Sequence, residues 1–219
     1  PVAAYNGSWI GMPGRRPWRH LTIPDALLAP IRRAEAEAAF SFRHNGSRKF
    51  TVQRDHRMHE RIARWYENVI TVPAEGDLPT GELMRVSCYF DSADQVEAGW
   101  NAMGEDARAR LKIQSYPMRI FFEFKDSDLQ LGEIQLHTRG KAEVMDFLAQ
   151  ERGIPAERVI AVGDQLNDLS MLEAAGLGVS VGNGVPEVQA LADLVIGPHD
   201  EDGIAAWVEA GAPLDGVDR

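Results

Sequence analysis

Cysteine is almost missing from this chain. Cys88 is the only one in 219 residues, so no intrachain disulfide can form. It lies in an apolar, strand-like run and reads as a small core residue. No apolar run is long enough to cross a bilayer, and no secretory signal pattern is present, so a cytoplasmic protein with no membrane partner is expected. Basic residues are in the minority. Twenty-three Lys and Arg stand against 33 Asp and Glu, a formal net charge of −10. That leaves no surplus to neutralise a phosphate backbone, and no nucleic-acid partner is expected. Small anionic substrates stay open, because a bound metal inverts the local field. Internal repeats and low-complexity segments are lacking. What remains is ordinary globular material: 44% hydrophobic residues and enough length for one large or two small domains. Asn6-Gly7-Ser8 and Asn45-Gly46-Ser47 fit the glycosylation acceptor pattern, but without a secretion signal both read as turns.

The most informative stretch is residues 159–172. A short apolar run rich in β-branched residues ends in Gly163-Asp164. Asn167-Asp168 follows, and helical spacing then begins. The run predicts a buried parallel strand, because it is too continuous for a strand with one wet face. Ligands of open α/β sheets sit beyond the carboxyl ends of the strands. Asp164, Asn167 and Asp168 are therefore expected around one crevice. Two carboxylates beside amide groups suit a hard cation and a phosphate.

From Gly140 onward strands and helices alternate. Helix 141–152 is expected to bury Val144, Phe147 and Leu148 and to stop at Gly153. Strand 158–163 and a helix over 167–175 follow. Next come strand 179–181, a helix opened by Pro186, strand 194–196 and a closing helix over 204–210. Alternation of this kind implies right-handed crossovers and a parallel sheet. The glycines at 176, 178 and 182 lack the spacing of a dinucleotide loop, and Gly178 falls in a strand.

Residues 1–5 predict a strand, and 11–18 a Gly, Pro and Arg linker. The middle predicts a helix over 24–39 that Pro30 interrupts, and a hairpin around Asn45-Gly46. Pairing Phe42 with Phe50 and Phe40 with Val52 would put the apolar set on one face. Helices over 57–68 and 92–107, the latter capped by Ser92, alternate with strands over 83–90, 111–116, 119–124 and 131–137. This is an α+β layer.

Gly163-Asp164-x-x-Asn167-Asp168-x-x-Met171-Leu172 resembles the fourth motif of the haloacid dehalogenase superfamily, in its Cof-like sugar-phosphatase branch. Thr138-Arg139-Gly140-Lys141 resembles that branch's lysine motif. Gly182-Asn183-Gly184 resembles its asparagine loop, Glu201-Asp202-Gly203-Ile204 its C-terminal signature, and Tyr5-Asn6-Gly7-Ser8-Trp9-Ile10 its Asn-Gly segment. The resemblance implies a doubly wound parallel, Rossmann-like α/β core over 1–14 and 138–219, N-terminally incomplete, with an inserted α+β cap over 15–137 that selects the substrate. It implies a Mg²⁺-dependent phosphatase acting on small phosphorylated metabolites, sugar phosphates above all, through a phosphoaspartate. By the same resemblance Asp164 and Asp168 bind the metal, and Lys141 neutralises the transferring phosphoryl charge. Asn167 and Asn183 attend the substrate. Plainer roles fit the same residues: caps for Asp164 and Asn167, a first-turn carboxylate for Asp168, an exposed helix-start lysine for Lys141, and a glycine-flanked turn for Asn183.

The family's nucleophile stands on Asp-x-Asp-x-Thr. Asp126-Ser127-Asp128 is an Asp-x-Asp, but it continues with Leu129-Gln130 and reads as a turn, and Asp200-Glu201-Asp202 runs into Gly203-Ile204 of the C-terminal signature. The nucleophile is therefore expected outside this chain, which alone should be inactive. The rival expectation is a binding or regulatory protein that keeps the fold without catalysis.

Overall fold

The computed structural model describes residues 2–4, 7–12, 15–45, 48–66, 68–73 and 81–212. Asn6 of the first Asn-Gly turn, and Gly46 and Ser47 of the second, lie outside the described residues. The chain divides into two compact units, Pro1–His20 with Thr138–Arg219, and Leu21–His137.

The first unit opens with β1 (Val2–Ala4), β2 (Trp9–Gly11) and β3 (Arg19–His20), an antiparallel sheet in that order. The stretch expected as a linker is instead a tight return. Arg15 N–H donates to Met12 O at 3.1 Å and Trp18 N–H to Ile10 O at 2.8 Å. Those bonds keep the chain in the first unit through His20.

The second unit contains α1 (Leu28–Glu37), β4 (Phe40–Asn45), β5 (Arg48–Val52), α2 (His59–Trp65), β6 (Val69–Val72) and β7 (Arg85–Phe90). It continues through α3 (Ala93–Met103), α4 (Glu105–Arg110), β8 (Leu111–Pro117) and β9 (Gln130–Leu136). Pro30 falls in the first turn of α1, where a missing N–H loses no intrahelical bond, so the helix runs through it. Ser92 caps α3 as expected, its hydroxyl accepting Gln95 N–H at 3.3 Å. Gly104, at φ +82°, then separates α3 from α4 where one helix was expected.

Among the described residues the strands form one sheet ordered β6-β5-β4-β7-β9-β8, antiparallel except for the β5–β6 pair. Val86, Cys88 and Phe90 pack with Ile31, Ala34, Val96 and Met103 on one face. Phe40, Phe42 and Tyr89 pack with Met58, Ile62 and Met118 on the other. This double covering corrects the expected hairpin register. Arg43, not Phe42, stands opposite Phe50. The one-face rule presumes a wet side. Here Arg43 is buried against Glu35, its Nε donating to Oε1 at 2.9 Å.

The strand expected over 119–124 is also corrected. Residues Met118–Ile120 and Phe122–Phe124 form 3₁₀ turns. β8 and β9 pair directly from Leu111↔Leu136 to Pro117↔Gln130, so the intervening segment is an excursion with no strand to join. Asp126-Ser127-Asp128 turns it back: Ser127 N–H donates to Phe124 O at 2.9 Å, and Arg61 holds Asp126 at 2.9 Å.

The returning chain forms α5 (Glu143–Arg152), β10 (Ile160–Gly163), α6 (Leu169–Ala174), β11 (Leu177–Val181), α7 (Pro186–Leu191), β12 (Leu194–Ile196) and α8 (Gly203–Glu209). Gly153, left-handed at φ +62°, ends α5. Strands β10, β11 and β12 are parallel neighbours in that order. β11 is buried throughout, but β10 is not: Ile160 is 51% exposed. α5 buries Glu143, Met145 and Phe147, while Val144 and Leu148 are only half-buried.

Candidate functional site

Strand β10 ends at Gly163, and Asp164 follows at its carboxyl end. The 3₁₀ turn Leu166–Asp168 comes next, closed by a reciprocal cap between Gln165 and Asp168. The carboxylate of Asp168 is engaged on both oxygens. Oδ2 accepts the backbone N–H groups of Asp164 and Gln165, each at 3.1 Å. Oδ1 accepts from Lys141 Nζ. The Asp168 side chain is 4% exposed and that of Lys141 34%. The motif glycine follows from this packing, for a Cβ at Gly163 would lie 2.5 Å from Asp168 Cβ.

The lysine is set by its own turn. Thr138 Oγ1 accepts Gly140 N–H at 3.1 Å. Buried Glu143 accepts Arg139 N–H at 3.1 Å and pairs with Arg19. Gly7, at φ +85°, fits against this turn; a Cβ there would stand 2.8 Å from Glu143 Cβ. Lys141, Asp164 and Asp168 thus share one crevice of about 520 Å³, with Ala3, Ala4, Val162 and Met171 among its walls. Sequence reasoning quoted Met171 within the motif but missed Ala3, Ala4 and Val162 as wall residues. Their only signal was an apolar run that fits any core.

Asp164 differs from Asp168 in freedom. Among the described residues its side chain hydrogen-bonds only to the Gln165 amide, at 3.5 Å. Its backbone O accepts Val185 N–H at 2.9 Å, which brings the 182–185 loop alongside. Among the described residues no group of three His, Cys, Asp or Glu is gathered to hold a metal ion. Asp164 is a carboxylate in the crevice with oxygens to spare. Asp168 is committed to Lys141 and the backbone.

The two asparagines stand apart from the lining. Asn167 is exposed, and its side chain makes no hydrogen bond among the described residues. Asn183 braces the turn before α8, its Nδ2 donating to Asp200 Oδ1 at 3.1 Å while its Oδ1 accepts His199 N–H at 3.1 Å. Gln189 holds the same loop from α7, donating to Gly182 O at 3.0 Å and Gly184 O at 2.8 Å. In the C-terminal signature Asp202 is left-handed at φ +55°. A Cβ at Gly203 would fall 2.0 Å from Gly197 O. That segment is a close-packed turn.

A family model for haloacid dehalogenase-like hydrolases matches residues 1–208. The chain belongs to this family. A phosphatase of Bacillus subtilis (strain 168) is 44% identical over 73 residues, which are 33% of this chain and 26% of that protein. The pyridoxal phosphate phosphatase of Escherichia coli (strain K12) is 32% identical over 153 residues, 68% of this chain and 53% of that protein. The chain therefore spans about a quarter to a half of the length of these haloacid dehalogenase relatives. In fold, a haloacid dehalogenase-like hydrolase from Bacteroides thetaiotaomicron superposes with TM-score 0.72 at 21% identity, covering 94% of this chain and 74% of that one. A Thermotoga maritima protein superposes with TM-score 0.73 at 18% identity, covering 94% and 73%. These likenesses bear out the α/β haloacid dehalogenase-like core with an inserted α+β unit.

Proposed function

We propose that the chain is the cation- and phosphate-handling part of a phosphatase acting on small phosphorylated metabolites. The observation that carries this is the crevice at the end of β10, where uncommitted Asp164 stands beside a lysine held by a buried carboxylate. The activities named for the relatives, a pyridoxal phosphate phosphatase and a sugar phosphatase among them, agree with this substrate class.

Asp164 suits a hard cation, since Mg²⁺ is bound through one or two carboxylates and keeps waters and substrate oxygens in its shell. A Mg²⁺ held there supplies positive charge to the phosphate oxygens. Lys141 places a second positive charge in the crevice, in position before the reaction begins. Asp168 orients that lysine and fixes the turn that presents Asp164. It works from behind the site and leaves ligation to Asp164. Asn183 keeps the flanking loop in place.

Phosphoaspartate chemistry needs a carboxylate that attacks phosphorus. Neither crevice aspartate suits it, because Asp168 is spent on its partners and Asp164 serves the cation. The nucleophile is thus assigned outside residues 1–219. A second reading, a binding protein that keeps the fold without catalysis, is favoured by the same observation. The test is hydrolysis of p-nitrophenyl phosphate with Mg²⁺. It is run on this chain and on the chain extended by whatever its gene encodes upstream of Pro1. Turnover only in an extended form that carries Asp-x-Asp-x-Thr is the expected result. Turnover by the 219 residues alone overturns the nucleophile assignment, and an inert extended form favours the binding protein.

A further inference from the structure

The turn that presents Lys141 lies beside a place where the chain enters the first unit. The chain leaves that unit after His20 and returns at Thr138. Lys141 is three residues beyond the return, and Arg19 is one residue before the exit. A charge that must stand ready for a reacting group needs a fixed position. Backbone alone would pass any displacement at 137–138 on to the lysine, so the turn needs a brace.

Glu143 supplies it. The Glu143 side chain is buried, 11% exposed. Its Oε1 accepts Arg139 N–H at 3.1 Å and so closes a ring around Gly140, Lys141 and Ala142. Its Oε2 accepts from the Arg19 guanidinium. One carboxylate therefore ties the chain before the exit to the chain after the return, with Lys141 inside its ring. Gly140, left-handed at φ +69°, rests against α6; a Cβ there would stand 3.1 Å from Ser170 Oγ. From Lys141 the contacts run on to Asp168, and from Asp168 to Asp164 N–H.

Capping by Glu143 does not by itself account for Arg19. A glutamate at a helix start satisfies the orphan N–H with one oxygen and can leave the other to water. Here the second oxygen holds a guanidinium whose Nε is buried without a hydrogen-bond partner among the described residues. A buried donor left unpaired costs stability. Arg19 is thus placed for its bond to Glu143 at the expense of its own remaining donor, which a helix cap would not require.

We propose that Arg19 and Glu143 are positioning residues for Lys141. Neither is assigned to a reacting group. Arg19 locks Glu143, and Glu143 locks the turn from which the ammonium reaches the crevice. Their role in catalysis rests on the phosphatase reading, whereas their hold on the lysine does not.

The lysine can be observed directly, because the chain has only four: Lys49, Lys112, Lys125 and Lys141. Ammonium ¹H–¹⁵N correlation spectra of this chain test the hold. Lys141 should give a resolved signal in the parent chain and in Arg19→Lys. It should lose that signal in Arg19→Met and in Glu143→Gln, which keeps an oxygen for Arg139 N–H but drops the ion pair. The backbone amides of Asp164 and Gln165 should stay in place throughout, since Asp168 holds them locally, and they report that the unit is folded. A Lys141 signal unchanged in Glu143→Gln or Arg19→Met overturns the proposal. Displaced Asp164 and Gln165 amides in all three variants would make the pair a fold contact only, and overturn it too. In a catalytically active extended form, kcat should fall roughly 10- to 100-fold in Arg19→Met and Glu143→Gln while KM changes little. Arg19→Lys should recover most of that loss. Full kcat in both variants would remove the positioning role. An extended form inert before any substitution would count against the phosphatase reading alone, and the ammonium spectra would still decide whether Arg19 holds the lysine.

Discussion

Lys141 and Asp168 form an ion pair in which the carboxylate is buried and the ammonium reaches the crevice. The other carboxylate oxygen holds the backbone N–H groups of Asp164 and Gln165. One aspartate therefore sets both the cation and the turn that carries the neighbouring aspartate. Lys141→Ala should cost on the order of 10²–10³ in rate if a preorganised charge is lost from the reacting phosphate. It should also lower stability by about 1–3 kcal/mol, because a buried carboxylate loses its partner, although the backbone N–H groups remain. Turnover and thermal melting of the catalytically complete protein, measured together, check both. A variant with unchanged melting would mean the pair contributes nothing to the fold.

Reading the lysine as an exposed helix-start residue would have predicted almost no stability cost. The two partners are 27 residues apart, and nothing in their spacing reveals the pairing. The same holds for Asn183, whose partners lie 16 and 17 residues further on. Local signals read well: the Ser92 cap, the Gly153 stop, Pro186 opening α7 and the Gly-Asp at the end of β10 all have causes within a few residues. Signals that depend on neighbours read poorly. The β4–β5 register failed because both faces of the sheet are covered. The residues around Phe122 have strand-like composition, but β8 and β9 had already paired with each other.

Gly163→Ala should damage the site more than most single methyl groups do. The added Cβ would meet Asp168 Cβ at 2.5 Å and Leu172 Cδ1 at 2.8 Å, so the capped turn must move. Overpacking of this kind costs about 1–3 kcal/mol. Melting temperature and Mg²⁺ affinity should fall together, since Asp164 belongs to the same turn. Loss of stability with unchanged Mg²⁺ affinity would separate Asp164 from the turn and contradict this account.

Asp164→Asn should do the reverse. Among the described residues the side chain has one long hydrogen bond, to the Gln165 amide, so the fold loses little. Titration calorimetry with Mg²⁺ should show weak binding in this chain and none in the variant. Equal heats from both proteins would remove Asp164 from the cation's shell.

The last prediction concerns pH and the second unit. Burial lowers the imidazoles of both His44 and His59. His44 Nε2 lies 2.9 Å from Ser87 Oγ, and His59 Nε2 lies 3.0 Å from Thr51 Oγ1, so both rings have neutral hydrogen-bond partners inside the fold. An unfolded chain protonates its histidines near the ordinary value of about 6.5. Below that pH the unfolded state binds protons that the folded state refuses. Stability is therefore complete above about pH 7 and declines as pH falls toward the folded-state values, by at most about 1.4 kcal/mol per pH unit for each histidine. Chemical denaturation of this chain at pH 8, 7, 6 and 5 should show that decline, and His44→Gln should flatten part of it. The glutamine can still reach the Ser87 hydroxyl but takes up no proton. A variant that keeps the full slope would place the proton uptake on other groups and remove His44 from the account.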